Sequence, residues 1–161
     1  MKTHLEHKTQ LLFTENIHLT GVTEYGIRWD ELLSGEVVLP PQGARFDITF
    51  EGTFAGPDLK GTIEGTDYLT VRADGKFMLN IYATITTEEG IAIPIREQGP
   101  VMPGANGRAH LQLAISFTTN APKYAWLNQV EGWAIGEINM NTRAVTAEVY
   151  TGAYHQIPAT A

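Results

Sequence analysis

Residues 66–96 read TDYLTVRADGKFMLNIYATITTEEGIAIPIR, and their reading decides the fold. Three β-rich runs are separated by two turns, Ala73-Asp74-Gly75-Lys76 and Glu88-Glu89-Gly90. Asp-Gly between alternating runs is a strong hairpin signal, because a two-residue type I′ turn needs positive φ at both central positions. With Asp74-Gly75 as that loop, Ala73 pairs with Lys76, Val71 faces Met78, Leu69 faces Asn80 and Asp67 faces Tyr82. Directly opposed residues point to one side of a sheet. Asp67, Asn80 and Tyr82 therefore share a mixed polar face with Leu69, Val71, Met78 and Thr84. At the second turn, a three-residue loop with Gly90 left-handed pairs Thr87 with Ile91 and sets Tyr82 opposite Arg96. This register predicts a row Asp67–Tyr82–Arg96 across three strands. A slip of one residue would put Glu97 in place of Arg96.

The pattern extends outward in both directions. Ala44–Phe50 alternates Phe46, Ile48 and Phe50 against Arg45, Asp47 and Thr49. Arg108–Thr119 sets Leu111, Leu113, Ile115 and Phe117 against His110, Gln112, Ala114, Ser116 and Thr118. Lys60–Glu64, Ile91–Gln98, Tyr124–Asn128, Glu131–Ile138 and Ala144–Tyr150 read as further strands, and Pro94 marks an edge or a bulge. Residues 10–20 read as a first strand broken near Glu15-Asn16, with a loop over Gly21–Gly26. Ile27–Ser34 reads as one or two helical turns ended by Gly35. Eight to ten short strands without βαβ alternation predict an all-β fold, a barrel or a sandwich in meander order; the tight hairpins favour an up-and-down antiparallel barrel of about eight strands with one short N-terminal helical turn. A barrel of that size is filled by its side chains or holds one small ligand. Residues 1–9 and 153–161 are expected to be flexible, flanking one domain over 10–152.

Composition narrows the function. A chain of 161 residues is the size of one domain and buries enough surface to need no staples. The absence of cysteine excludes disulfides and a thiol nucleophile. A net charge of −7, with 11 scattered basic residues, argues against nucleic acid. No apolar run reaches the length of a membrane helix, and MKTHLEHKTQ lacks the apolar stretch of a signal peptide. A cytoplasmic protein without a membrane partner is expected. His4 and His7 have the spacing of a metal pair but no further ligands, so no metal is expected. No nucleophile elbow and no glycine-rich phosphate loop is present, and no cofactor is expected.

The runs GTFAGPDLKG, GTDYLTVRADG, ATITTEEGIAI and SFTTNAPKYAWLNQVEGWAIG, in that order across residues 44–150, resemble the DUF3237 family. The resemblance implies a compact antiparallel barrel of calycin or allene-oxide-cyclase type, often self-associating, without one settled activity. Where the family usually has Trp this chain has Tyr68, and where it has Asp and Arg this chain has Asn80 and Tyr82.

These residues suggest a site. A carboxylate inside a closed barrel has its pKa raised by desolvation, which suits a general base or acid near neutral pH. Asp67 is the candidate proton acceptor and Tyr82 the donor or orienting group. Arg96, Asn80 and Asn128 would stabilise oxyanion charge, while Tyr68, Tyr124 and Trp126 would shape the pocket. The opposite assignment stays open: this face is the solvated outside, and Phe77, Leu79, Ile81, Ala83 and Ile85 fill the interior. The expected function is cofactor-free acid–base chemistry (isomerisation, cyclisation, or addition and elimination) on a small, largely apolar, oxygenated molecule. The alternatives are a lipocalin-like carrier and a filled structural barrel. Strands apolar on both sides predict a second subunit as cover, hence a homo-oligomer.

Overall fold

Alternation of apolar and polar residues gives each strand one inward and one outward face, and closure removes the sheet edges that such strands would otherwise expose. The computed structural model describes residues 9–152; the expected loose ends and His4, His7 and His155 lie outside them, while Thr9 already belongs to the first strand. The strands are β1 (Thr9–Glu24), β2 (Ala44–Ala55), β3 (Lys60–Val71), β4 (Phe77–Thr87), β5 (Ala92–Pro103), β6 (Arg108–Phe117), β7 (Gly132–Asn139) and β8 (Ala144–Gly152). Each pairs antiparallel with its chain neighbour, and β1 pairs with β8 to close the barrel. The expected eight-stranded up-and-down barrel is the observed fold.

Several details differ from the expectations. β1 is continuous through Glu15-Asn16 and runs on to Glu24, absorbing irregularities between Leu11 and Phe13 and between Leu19 and Gly21. Tyr124–Asn128 is not a strand but part of a 3-10 helix, Pro122–Gln129, which Pro122 opens with its fixed φ. β5 continues through Pro100 to Pro103. Helix α1 (Trp29–Ser34) forms as expected. Gly35 ends it in the left-handed region at φ 76°, its N–H donating to Leu32 O while the Glu36 N–H donates to Glu31 O.

The register of β3 and β4 differs by one residue from the prediction. The Arg72 N–H donates to Lys76 O at 2.9 Å, the Gly75 N–H donates to Arg72 O at 2.8 Å, and Gly75 has φ 88°. The loop is therefore the three residues Ala73–Gly75, with one left-handed residue instead of the two of a type I′ turn. Val71 pairs with Phe77, Asp67 with Ile81 and Thr66 with Tyr82. The second turn is as predicted: the Thr87 N–H donates to Ile91 O, Gly90 has φ 85°, and Tyr82 pairs with Arg96. One correct turn and one shifted turn split the expected row. Asp67, Ile81 and Glu97 face inward, and Thr66, Tyr82 and Arg96 face outward.

With the register corrected, Leu69 and Val71 join Phe77, Leu79 and Ile81 inside. The two-sided apolar pattern that called for a covering subunit disappears. The barrel's two ends differ. At the end where β1 begins, Phe13 packs edge-on against Phe54 and Phe117 with ring centroids 5.1 and 6.1 Å apart. Ile63, Ile85, Ile93 and Leu127 complete this buried floor. At the other end α1 leans on the rim, with Trp29 edge-on to Phe46 at 4.9 Å. Between floor and rim lies a cavity of about 480 Å³, so the barrel is not a filled one.

Candidate active site

The cavity is walled mostly by aliphatic and aromatic side chains, among them Ile17, Ile48, Phe50, Leu69, Leu79 and Leu113. Three carboxyl groups interrupt that wall: Glu15 from β1, Asp67 from β3 and Glu97 from β5. Each falls in phase with the apolar residues of its own strand. Glu15 alternates with Phe13 and Ile17, Asp67 with Ile63 and Leu69, and Glu97 with Ile93 and Ile95. Alternation therefore turns all three into the lumen. All three are buried, with exposures of 2 %, 7 % and 3 %.

Their electrostatics follow from burial without cationic partners. Desolvation penalises the charged form and raises a carboxyl pKa. Asp67 is pushed up to about 7, chiefly by burial, while the Asn80 N–H that donates to its Oδ1 at 2.9 Å pulls the other way. That bond is made where the β3–β4 ladder has no paired positions, between Asp67↔Ile81 and Thr70↔Met78. Glu97 is pushed up to about 7 by burial and then by the charge of Asp67. Glu15 is raised well above the ordinary range by burial and by Glu97. One oxygen each of Glu15 and Glu97 has no hydrogen-bond partner. The lining cation, Arg108, stands at the rim and is paired with Glu137. Among the described residues, no three His, Asp or Glu side chains converge as metal ligands.

Of the residues predicted from sequence, the structure places Asp67 in this cavity. Tyr82 and Arg96 are on the outer wall, because the one-residue register shift alternates them to the other side. Tyr82 is 50 % exposed, with the Arg96 guanidinium 5.2 Å from its ring centre. Tyr68 is outside too, 6.0 Å from Tyr82 and stacked under Arg45. Asn80 touches the site through its main chain only. Tyr124, Trp126 and Asn128 sit on the 3-10 helix rather than along the lumen. The Tyr124 hydroxyl donates to Glu89 at 2.5 Å, Trp126 packs against the core, and the Asn128 amide holds both main-chain groups of Thr119 at 2.7 and 2.8 Å. Those three fix the helix to the barrel. In the sequence, Glu97 reaches this face only through a one-residue slip, and Glu15 reads as a strand break. The signal for both was a carboxyl residue in phase with apolar neighbours.

The mouth is built by α1 and by two hairpin turns. Trp29, Leu32 and Leu33 face the cavity from α1, while Gly104, Gly107, Met140 and Asn141 face it from the turns. The Met140 N–H donates to Gly107 O at 2.8 Å and ties the turns together.

Residues 40–151 match the family described as "Protein of unknown function (DUF3237)". The chain belongs to the DUF3237 family. Outside that description, it is 32 % identical over 93 residues to a hydroalkoxylation enzyme of Penicillium herquei, phnH, across 55 % of this chain and 56 % of the relative. The chain thus matches about half the length of that curated relative. Among solved structures, a β-barrel-like protein of Acinetobacter baumannii superposes with a TM-score of 0.75 at 22 % identity, covering 94 % of this chain and 99 % of the other. An enzyme of Penicillium herquei superposes with a TM-score of 0.64 at 23 % identity, covering 92 % and 98 %. These likenesses agree with the barrel fold of this DUF3237 member.

Proposed function

We propose that this protein is a cofactor-free barrel enzyme that adds an O–H group across a carbon–carbon double bond within one small, largely apolar molecule, closing an oxygen ring. The observation that carries the reading is the set of carboxyl groups buried in an apolar cavity, two of them with pKa values near 7. Catalytic acids and bases work best with a pKa near the operating pH. The relative named a hydroalkoxylation enzyme supports the choice of addition among acid–base reactions.

Asp67 and Glu97 divide the work. The Asn80 N–H favours the ionised form of Asp67, and the charge of Asp67 favours the protonated form of Glu97. Glu97 delivers its proton to one alkene carbon, the substrate oxygen bonds to the other, and Asp67 accepts the hydroxyl proton. One O–H bond and one C=C π bond are lost, one C–H and one C–O bond are gained, and the product has the substrate's mass. A proton passing from Asp67 to Glu97 resets the pair. The apolar wall shields the developing cation from water.

An ortho-prenylated phenol incubated with the protein should give a ring-closed isomer, visible as a new chromatographic peak of unchanged mass. Asp67→Asn and Glu97→Gln should each slow its formation by about 10²- to 10⁴-fold. Tight binding of the phenol without any isomer would overturn the reading in favour of a carrier, the role that the apolar wall alone would serve.

A further inference from the structure

The proposed reaction uses Asp67 and Glu97 and leaves Glu15 without a task. Glu15 lies next to the aromatic floor: two residues on from Phe13 along β1, it pairs with Phe54 on β2 and Ala147 on β8. It is 2 % exposed, it lines the cavity, and its Oε1 meets no donor or acceptor. A carboxyl in such a place is a poor stability element. An unpaired buried charge is costly, and a neutral carboxyl still carries an O–H that wants an acceptor. The two positions flanking it on its own face, Phe13 and Ile17, offer none. Glu97 acts on it electrostatically and also has an orphaned oxygen, and burial holds each toward the neutral form. Two carboxyl groups held toward the neutral form in an apolar cavity make a donor site that suits a neutral oxygen acceptor and repels an anion.

We propose that Glu15 is a recognition residue at the floor of the lumen, donating a hydrogen bond from its carboxylic O–H to a carbonyl or neutral hydroxyl oxygen at the buried tip of an aromatic-sized ligand. This rests on the lumen being the reaction chamber and specifies its substrate class: uncharged and apolar in its middle, with an oxygen at the end that enters first. Gripping that oxygen sets the rest of the molecule alongside Asp67 and Glu97.

The test is a binding series read by calorimetry at pH 6, with acetonaphthone, ethylnaphthalene and naphthoate as ketone, hydrocarbon and anion of matched size. The wild-type protein should bind the ketone about tenfold tighter than the hydrocarbon, the worth of one buried hydrogen bond, and should bind naphthoate weakest. Glu15→Leu should erase the ketone's advantage while keeping hydrocarbon affinity. Glu15→Gln, which keeps an N–H donor, should retain it. With a substrate that turns over, Glu15→Leu should raise KM more than it lowers kcat. Equal affinity for ketone and hydrocarbon in the wild type, an undiminished preference in Glu15→Leu, or tight naphthoate binding would each overturn the proposal. None of these outcomes depends on turnover. A ketone preference carried by Glu15 with no isomerisation of the prenylated phenol would sink the reaction and spare the recognition site.

Discussion

Asp47 and Asp67 stand on adjacent strands, and Asp67 lies beside the residue that pairs with Asp47, yet they titrate in opposite directions. Asp47 faces outward. The Tyr25 hydroxyl donates to it at 2.5 Å, the Arg45 guanidinium adds a bond at 3.1 Å, and together they hold its pKa below the usual value. Asp67 faces inward, has no cation against it, and is raised to about 7. The same contrast separates Ile81 and Glu97 from Tyr82 and Arg96, their chain neighbours. Outside, charges and phenols satisfy one another in water: Arg45 lies over the Tyr25 and Tyr68 rings, and Arg96 lies over Tyr82. Inside, carboxyl groups are kept short of partners. One residue of register decides which environment a side chain meets, and so what chemistry it can do.

The sharpest way to break the contrast is to neutralise one member of each row. Asp67→Asn should lower turnover of a cyclising substrate by about 10²- to 10⁴-fold, the usual worth of a general acid or base, whereas Tyr82→Phe should leave it within about twofold. Comparable losses in steady-state assays of the two variants would mean that the outer row takes part.

Stability against pH gives the next largest effect. Asp67 and Glu97 have folded pKa values raised above their unfolded values, so the folded state holds extra protons. Their contribution is fully present below about pH 4 and is lost as pH rises toward and through about 7, at up to about 1.4 kcal/mol per pH unit for each group. Urea midpoints should fall from pH 5 to pH 8, and Glu97→Gln should flatten the slope. Asp47, with its folded pKa lowered, works with the opposite sign: its contribution is present above the unfolded value and fades as acid protonates it, so Asp47→Asn should weaken the fold at neutral pH.

Smaller still is the cost of the turns that set the register. An added Cβ at Gly75 or Gly90 meets open space, so Gly75→Ala and Gly90→Ala should each cost about 1–2 kcal/mol through positive φ alone, measurable as a drop in Tm. The smallest expected change is the stability of Tyr82→Phe, within about 0.5 kcal/mol of the parent.

How much of this was legible follows from the same geometry. Alternation reports the half-buried strands, as in Phe46, Ile48 and Phe50 or Leu111, Leu113 and Ile115; the tight hairpins between them favour a barrel over a sandwich. Alternation does not report which residue opposes which across a turn. Asp74-Gly75 satisfies both a two-residue loop and a three-residue loop, since each accepts glycine in a left-handed conformation, and the choice lies in hydrogen bonds that composition does not encode. Glu15 was obscured for a different reason. A carboxylate amid apolar residues reads as an interruption, and only closure of the barrel, a contact of β1 with β8 from the far end of the chain, shows that the interruption points into a chamber. The Tyr124–Asn128 segment looked like pocket lining because tyrosine and tryptophan serve pockets and packing alike.

The aromatic floor has one more consequence. Among the described residues, Phe13, Phe54 and Phe117 stop one end and α1 shades the other, which leaves one doorway. In the proposed reaction, product would leave by the same doorway through which substrate enters, so the two compete for it. Accumulating product should therefore act as a purely competitive inhibitor, raising the apparent KM and leaving the maximal velocity untouched.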